Sequence, residues 1–129
     1  QTNRTIMTKR YALRPSSSVP IIYLYRDSID FRNGHRGLSA IVQMELEHDP
    51  FSGILYVFRN RAFDKVKILF CENNGFVLYY KSLAEEKFKW PKAGDTMVTV
   101  TGEQMNWLLD GYDIAQMKGH KALHYDTVF

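Results

Sequence analysis

Four aspartates, Asp27, Asp30, Asp49 and Asp64, are the side chains with which this chain would hold a pair of divalent cations about 4 Å apart, the arrangement common in DNA-cutting enzymes. Each has a simpler local reading. Asp27 and Asp30 sit where a helix starts, Asp49 ends that helix before Pro50, and Asp64 lies in a hairpin link. Aspartate is favoured at caps and turns without any chemistry. Nucleophilic candidates are Ser52 and Cys71. Ser52 lacks the glycine two residues earlier that a nucleophile elbow requires. Cys71 ends the apolar run Ile68-Leu69-Phe70-Cys71 and reads as core, because a reactive thiolate needs exposure and nearby positive charge. His120 and His124 have i, i+4 spacing, but with His35 and His48 they lack the glutamate or third ligand of a zinc site. No glycine-rich phosphate loop is present, since Gly34 and Gly37 stand without a following lysine in the right place. The expectation is no catalytic residue, no metal and no cofactor.

A basic and aromatic set remains. Arg32, His35 and Arg36 fall near a helix N-terminus, and Arg59, Arg61, Lys65 and Lys67 surround a hairpin link. Lys81, Lys87 and Lys89 follow, with Phe88 and Trp90 interleaved. Such cations neutralise phosphates and Trp90 can stack on a splayed base. The plainer alternative, strongest for the second cluster, is a sheet edge guarded by lysines against aggregation.

The elements that must position these residues follow from pattern. The 129 residues are 45% hydrophobic and 14% aromatic, which fits one domain and excludes disorder for most of the chain. A net charge of +3 permits anionic partners without requiring them. A single cysteine and the lack of a long apolar run or secretory leader point to a cytoplasmic protein with no membrane partner. Residues 1–19 carry Arg4, Lys9, Arg10 and Arg14 before Pro15-Ser16-Ser17-Ser18, reading as a basic, flexible arm that either contacts phosphates or binds nothing. Ile21 to Tyr25 predicts a strand covered on both faces or packed at a sheet centre. Leu38, Ile41, Val42 and Leu46, extended by Phe31 and Gly34, predict a helix over 31–47, capped by the Asp27 to Asp30 stretch. Residues 54–58, 66–70 and 76–80 predict three strands in antiparallel hairpins, the second turning at Asn73-Asn74-Gly75. Phe88 to Pro91 and Met97 to Val100 add two short strands, and Thr101-Gly102-Glu103-Gln104 predicts the capping box of a short helix ending at Gly111. The fold expected is a single α+β domain, an antiparallel meander packed by one long and one short helix.

Several stretches also share a recognisable order. Asp30-Phe31-Arg32 with Gly34, Gly37-Leu38 and Ala40-Ile41-Val42 come first, then Asp49-Pro50-Phe51-Ser52-Gly53, Tyr56-Val57-Phe58 and Arg61. Asp64 to Leu69, Gly75-Phe76, Lys81 to Leu83, Phe88 to Pro91 and Leu108-Leu109-Asp110-Gly111 complete the series. Together they resemble the accessory protein TnpB of insertion sequence family sixty-six, which shares only a name with the RNA-guided nucleases. The resemblance covers about residues 20 to 114, leaving a tail over 115–129. It implies a bacterial, non-enzymatic transposition accessory role, because the catalytic carboxylates of such elements belong to a separate transposase. Arg32, Gly34, Gly37, Pro50, Phe51, Gly53, Arg61, Lys65, Lys67 and Trp90 fall on family motif positions. The family offers no residue-level mechanism, and it usually has an aromatic residue where Cys71 stands.

Two readings of the partner stay open. In one, Arg32, Arg36, Arg59, Arg61, Lys65 and Lys67 contact DNA phosphates, with the element ends as the site. In the other, the chain is an adaptor without DNA affinity, docking on the transposase or other element-encoded proteins through exposed aromatics such as Phe51 and Trp90. A magnesium-dependent nuclease is disfavoured because no carboxylate set assembles. Oligomeric state is not legible.

Overall fold

A computed structural model describes residues 14–19, 21–92 and 97–116. Five strands form one sheet: β1 (Ile22–Ser28), β2 (Leu55–Arg59), β3 (Lys65–Glu72), β4 (Gly75–Ser82) and β5 (Met97–Val100), in the order β4-β3-β2-β1-β5. A helix α1 (His35–Ala40) runs into a π-helical turn, Ile41–Glu45, and a second helix α2 spans Gly102–Leu109.

Apolar residues alternate to both sides of this sheet. Ile22, Leu24, Val57, Ile68 and Val100 join Phe88, Met105, Leu108 and Leu109 in one core beneath α2. Tyr25, Tyr56, Phe58 and Leu69 point the other way and pack with Leu38 and Val42 of α1 and its π turn. Two buried faces explain why the strand sequences read as continuous apolar runs rather than alternating ones. Full burial of each such Leu, Ile or Phe stabilises by about 1.5–3 kcal/mol relative to exposure, so both helices are held mainly by their apolar stripes.

The hairpins β2-β3 and β3-β4 are antiparallel as expected, with Asn73 at φ 55° in the tight turn between Glu72 and Gly75. The sheet as a whole is not a meander. β1 pairs with β2 in parallel and with β5 antiparallel. A parallel pair needs a crossover connection, which residues 29–54 supply through α1.

The expected long helix over 31–47 is also corrected. Asp27 and Ser28 belong to β1, and the N-cap of α1 is Gly34, which makes no side-chain cap bond. A competing turn delays the helix: the Asp30 carboxylate accepts the Arg32 backbone N–H at 2.9 Å, and Asn33 N–H donates to the Asp30 carbonyl. The carbonyls of Phe31 and Asn33 meet Lys67 Nζ instead of helical N–H groups. Past Ala40 the ladder widens, with Leu46 N–H bonded to Ile41 O, and it stops at Glu47, whose φ is 57°.

Phe88 to Pro91 forms no strand. Phe88 is buried and its N–H donates to the Phe63 carbonyl at 2.7 Å, so the segment is clamped on the β2-β3 turn rather than laddered onto an edge. α2 has the predicted capping box: Thr101 Oγ1 accepts Gln104 N–H and Gln104 Oε1 accepts Thr101 N–H. It ends before Gly111, whose φ of 96° suits glycine. Residues 14–19 of the basic leader lie against α2, where Arg14 pairs with Asp110 at 2.7 Å and Gly102 N–H donates to the Val19 carbonyl. The rest of the leader, and His120, Lys121 and His124 of the tail, lie outside the described residues.

Candidate nucleic-acid interface

The sheet register brings one set of strand ends together. Ser28 faces Arg59, Arg59 faces Val66, and Lys65 faces Ser82, so the carboxyl ends of the parallel pair β1 and β2 share an end of the sheet with the β2-β3 turn and the chain leaving β4. Carboxyl ends of parallel strands are the usual ligand side of open α/β sheets. Here the emerging segments carry Arg32, Arg61 and the run Lys87-Phe88-Lys89-Trp90-Pro91-Lys92.

At this end lies a cleft of about 720 Å³, whose wall includes Arg26, Arg59, Lys87, Lys89 and Lys92 with a single carboxylate, Asp113. Its aromatic members are Phe63, Phe88 and Trp90. The wall is fixed by backbone carbonyls. Arg59 Nε and Nη2 donate to the Arg26 carbonyl at 3.1 and 2.8 Å, Nη1 donates to Asn60 O, and the guanidinium lies 3.9 Å from the Phe63 ring centroid. Burial lowers the Arg59 pKa from its ordinary value, with Asp27 opposing. Trp90 Nε1 donates to the Tyr25 carbonyl at 3.1 Å. Lys87 Nζ bonds Ala62 O and Lys89 Nζ bonds Gly111 O. An ammonium has three donors, so each of these lysines retains hydrogens for a ligand.

The residues singled out from sequence divide into distinct environments. Arg61 is exposed in the β2-β3 turn, and Arg36 is exposed on the first turn of α1. Arg32 is exposed but forked onto Asp30, and the pairing holds the Asp30 carboxyl down at about 2. Lys65 is half-buried with Nζ 3.4 Å from Asp64. Arg59 forms part of the cleft. Lys67 does not reach the surface: it is 6% exposed, donates to Phe31 O at 2.8 Å and Asn33 O at 2.7 Å, and lies over the Phe31 ring. The structure therefore takes Lys67 out of the phosphate-contacting set and makes it the anchor of the 31–33 loop. Lys81 is likewise held inward, its Nζ on the Leu109 carbonyl.

Of the two aromatic candidates, Trp90 is half-buried in the cleft wall, whereas Phe51 is 68% exposed and packs on Phe76 with centroids 5.2 Å apart. Sequence reasoning missed Arg26, Phe63 and Lys92. Lys92 was adjacent to the Lys87 to Pro91 run, but Arg26 and Phe63 carried no sign of facing it, since only the parallel pairing sets them together.

The carboxylates serve local turns. Asp49 Oδ1 accepts Phe51 N–H, and Asp64 Oδ1 accepts from Asn60 Nδ2. Among the described residues no group of three His, Cys, Asp or Glu side chains is placed to hold a metal ion. His48 Nδ1 is 2.7 Å from the Tyr56 hydroxyl and His35 stacks on Phe76, so both imidazoles have structural neighbours. No helix among the described residues is long and apolar enough to cross a membrane.

Comparison with known proteins gives three matches. The family described as "IS66 Orf2 like protein" matches residues 21–119. The uncharacterized protein y4jC of Sinorhizobium fredii is 32% identical over 90 residues, 70% of this chain and 77% of the relative. The uncharacterized protein y4hO of the same organism is 30% identical over 99 residues, 77% of this chain and 86% of the relative. No solved structure gives a significant match.

Proposed function

The chain belongs to the IS66 Orf2-like family and is thus insertion-sequence associated, and from that premise we propose that it is a non-enzymatic accessory protein that supports transposition by binding DNA at the basic end of its sheet. The observation that carries this reading is the charge of the cleft: Arg26, Arg59, Lys87, Lys89 and Lys92 against Asp113, with Asp27 paired to Arg26 at 3.2 Å. Arg61, exposed in the β2-β3 turn, lies at the same end of the sheet. Phosphate neutralisation by such cations supplies affinity without sequence information, and it weakens steeply as salt competes.

The test is a salt titration of the protein binding to a labelled terminal inverted repeat of an insertion sequence of this family, beside scrambled DNA. Salt-steep binding to both supports phosphate contact, and preference for the repeat adds recognition. Binding weaker than tens of micromolar at low salt overturns the reading.

A second reading is favoured by one separate observation. Phe51 is 68% exposed and Met44 76% exposed, and Phe51 leans on Phe76 of the edge strand β4. On this reading the chain is an adaptor that docks the transposase through apolar surface, and its partner binding is insensitive to salt. Co-purification of the transposase that is lost in Phe51→Ser and retained at high salt would favour it over DNA binding.

A further inference from the structure

We infer that the cleft takes one unpaired nucleotide of a DNA strand, its base against the Trp90 ring and its phosphate among Lys87, Lys89 and Lys92. The inference rests on the proposed DNA-binding role and narrows it to a substrate class. A duplex presents phosphates outward and hides the faces of its bases, so a surface that follows duplex DNA needs cations but gains little from aromatic walls. An unpaired nucleotide presents both chemistries at once, a π face and an anion, and aromatic residues in a positive groove are the standard way to hold it.

The cleft joins those two chemistries in one half-open groove. About 720 Å³ lies within the range of small-molecule sites, enough for one nucleotide. Its walls are fixed before any ligand arrives. Trp90 is oriented by its bond to the Tyr25 carbonyl, and the Arg59 guanidinium, a planar surface in its own right, is locked by bonds to the carbonyls of Arg26 and Asn60. Fixed side chains lose little entropy on binding, which favours a specific ligand over loose ion attraction. Lys87 and Lys89 are likewise held by carbonyls at 2.8 and 3.1 Å while keeping donors for a phosphate, and Lys92 is exposed beside them. Five wall cations face Asp113 in the wall and Asp27 paired with Arg26, so the local field still attracts an anion.

The test compares, at one fixed salt concentration, the binding of the full chain to a short labelled oligothymidine, an abasic oligomer of equal phosphate count and a blunt hairpin duplex, with thymidine monophosphate as competitor. The expected result is at least about tenfold tighter binding to oligothymidine than to the abasic oligomer, a difference that Trp90→Ala removes. Equal affinity for the two oligomers overturns the nucleotide site and leaves the DNA-binding proposal standing. Absence of binding to every nucleic acid overturns both. Monophosphate competing as well as the oligomer overturns the strand reading and reassigns the cleft to a free nucleotide. Because Trp90→Ala also removes a structural bond, photo-crosslinking of an iodouracil-substituted oligomer to the unaltered chain gives an independent readout. Crosslinks in peptide 86–92 support the site, and crosslinks confined to other peptides overturn it.

Discussion

The Lys67 ammonium donates at 2.8 Å to the Phe31 carbonyl, 36 residues earlier in the chain, and at 2.7 Å to the neighbouring Asn33 carbonyl. Burial pushes its pKa below the ordinary lysine value, with Asp30 acting in the opposite direction. This one side chain on β3 secures the Asp30 turn before α1 by using the carbonyls on which an earlier helical start would depend.

Lys67→Met keeps the apolar stem and removes both bonds, leaving two carbonyls without their charged donor. The expected loss is about 2–3 kcal/mol of folding stability, read by denaturant unfolding. The salt slope of DNA binding should be unchanged at temperatures where the variant is folded. A fall in that slope without a loss of stability would return Lys67 to the DNA-contacting surface.

Arg61→Ala and Arg36→Ala should behave in the opposite way. Both side chains are exposed, so stability should move by no more than about 0.5 kcal/mol. If each contacts one phosphate, the slope of log affinity against log salt should fall by about 0.9 per substitution. Slopes equal to the parent's would place both arginines outside the interface.

Gly102→Ala tests whether the 14–19 segment docks on α2 in solution. A Cβ at this position would lie 2.6 Å from the Ser16 carbonyl oxygen and 2.9 Å from that of Val19, both backbone atoms with little freedom to yield. Gly102 is the first residue of α2, so the propensity gain of alanine is smaller than the roughly 1 kcal/mol of a helix interior. Net destabilisation of about 1–3 kcal/mol is expected from the clash, seen as a lowered melting temperature. A raised one would show that the segment does not sit there.

Tyr25 contributes to the loss of stability at high pH. Burial, then its hydrogen bond and charge repulsion from Glu45, push its phenol up to about 12 from an ordinary 10, and its hydroxyl lies 2.7 Å from Glu45 Oε1. In the unfolded chain the phenol loses its proton near 10, whereas the folded chain holds it to about 12. High pH therefore draws the equilibrium toward the unfolded state, and the contribution present below pH 10 is lost as pH rises through 12. Tyr25→Phe should flatten this part of the stability profile, and ultraviolet titration should lose a late-ionising tyrosine. A profile identical to the parent's would contradict the assignment.

Much of the local architecture was legible in the chain because its causes are local. Asn73-Asn74-Gly75 specifies a tight turn through backbone preference, and Thr101 with Gln104 caps α2 through side chains three residues apart. The apolar run from Ile21 to Tyr25 revealed a strand buried on both faces from Ile22 onward, with Ile21 itself 51% exposed before it. The start of α1 was only partly legible: the Asp30 turn that delays it is local, but Lys67, which holds the carbonyls of Phe31 and Asn33, arrives from a distant strand.

The same division holds for the interface. Sequence alone determined that Lys87, Phe88, Lys89 and Trp90 alternate cation with ring, and that Arg59 and Arg61 flank a hairpin link. It also supplied the ordered motifs by which the chain resembled its family. Only the tertiary structure decided which cations face a common volume. Parallel pairing of β1 with β2 carried Arg26 to Arg59, and the clamp of Phe88 on Phe63 folded the later run over them. Pairing direction depends on how a crossover packs across a whole sheet, a balance of burial over many residues that no short window of sequence contains.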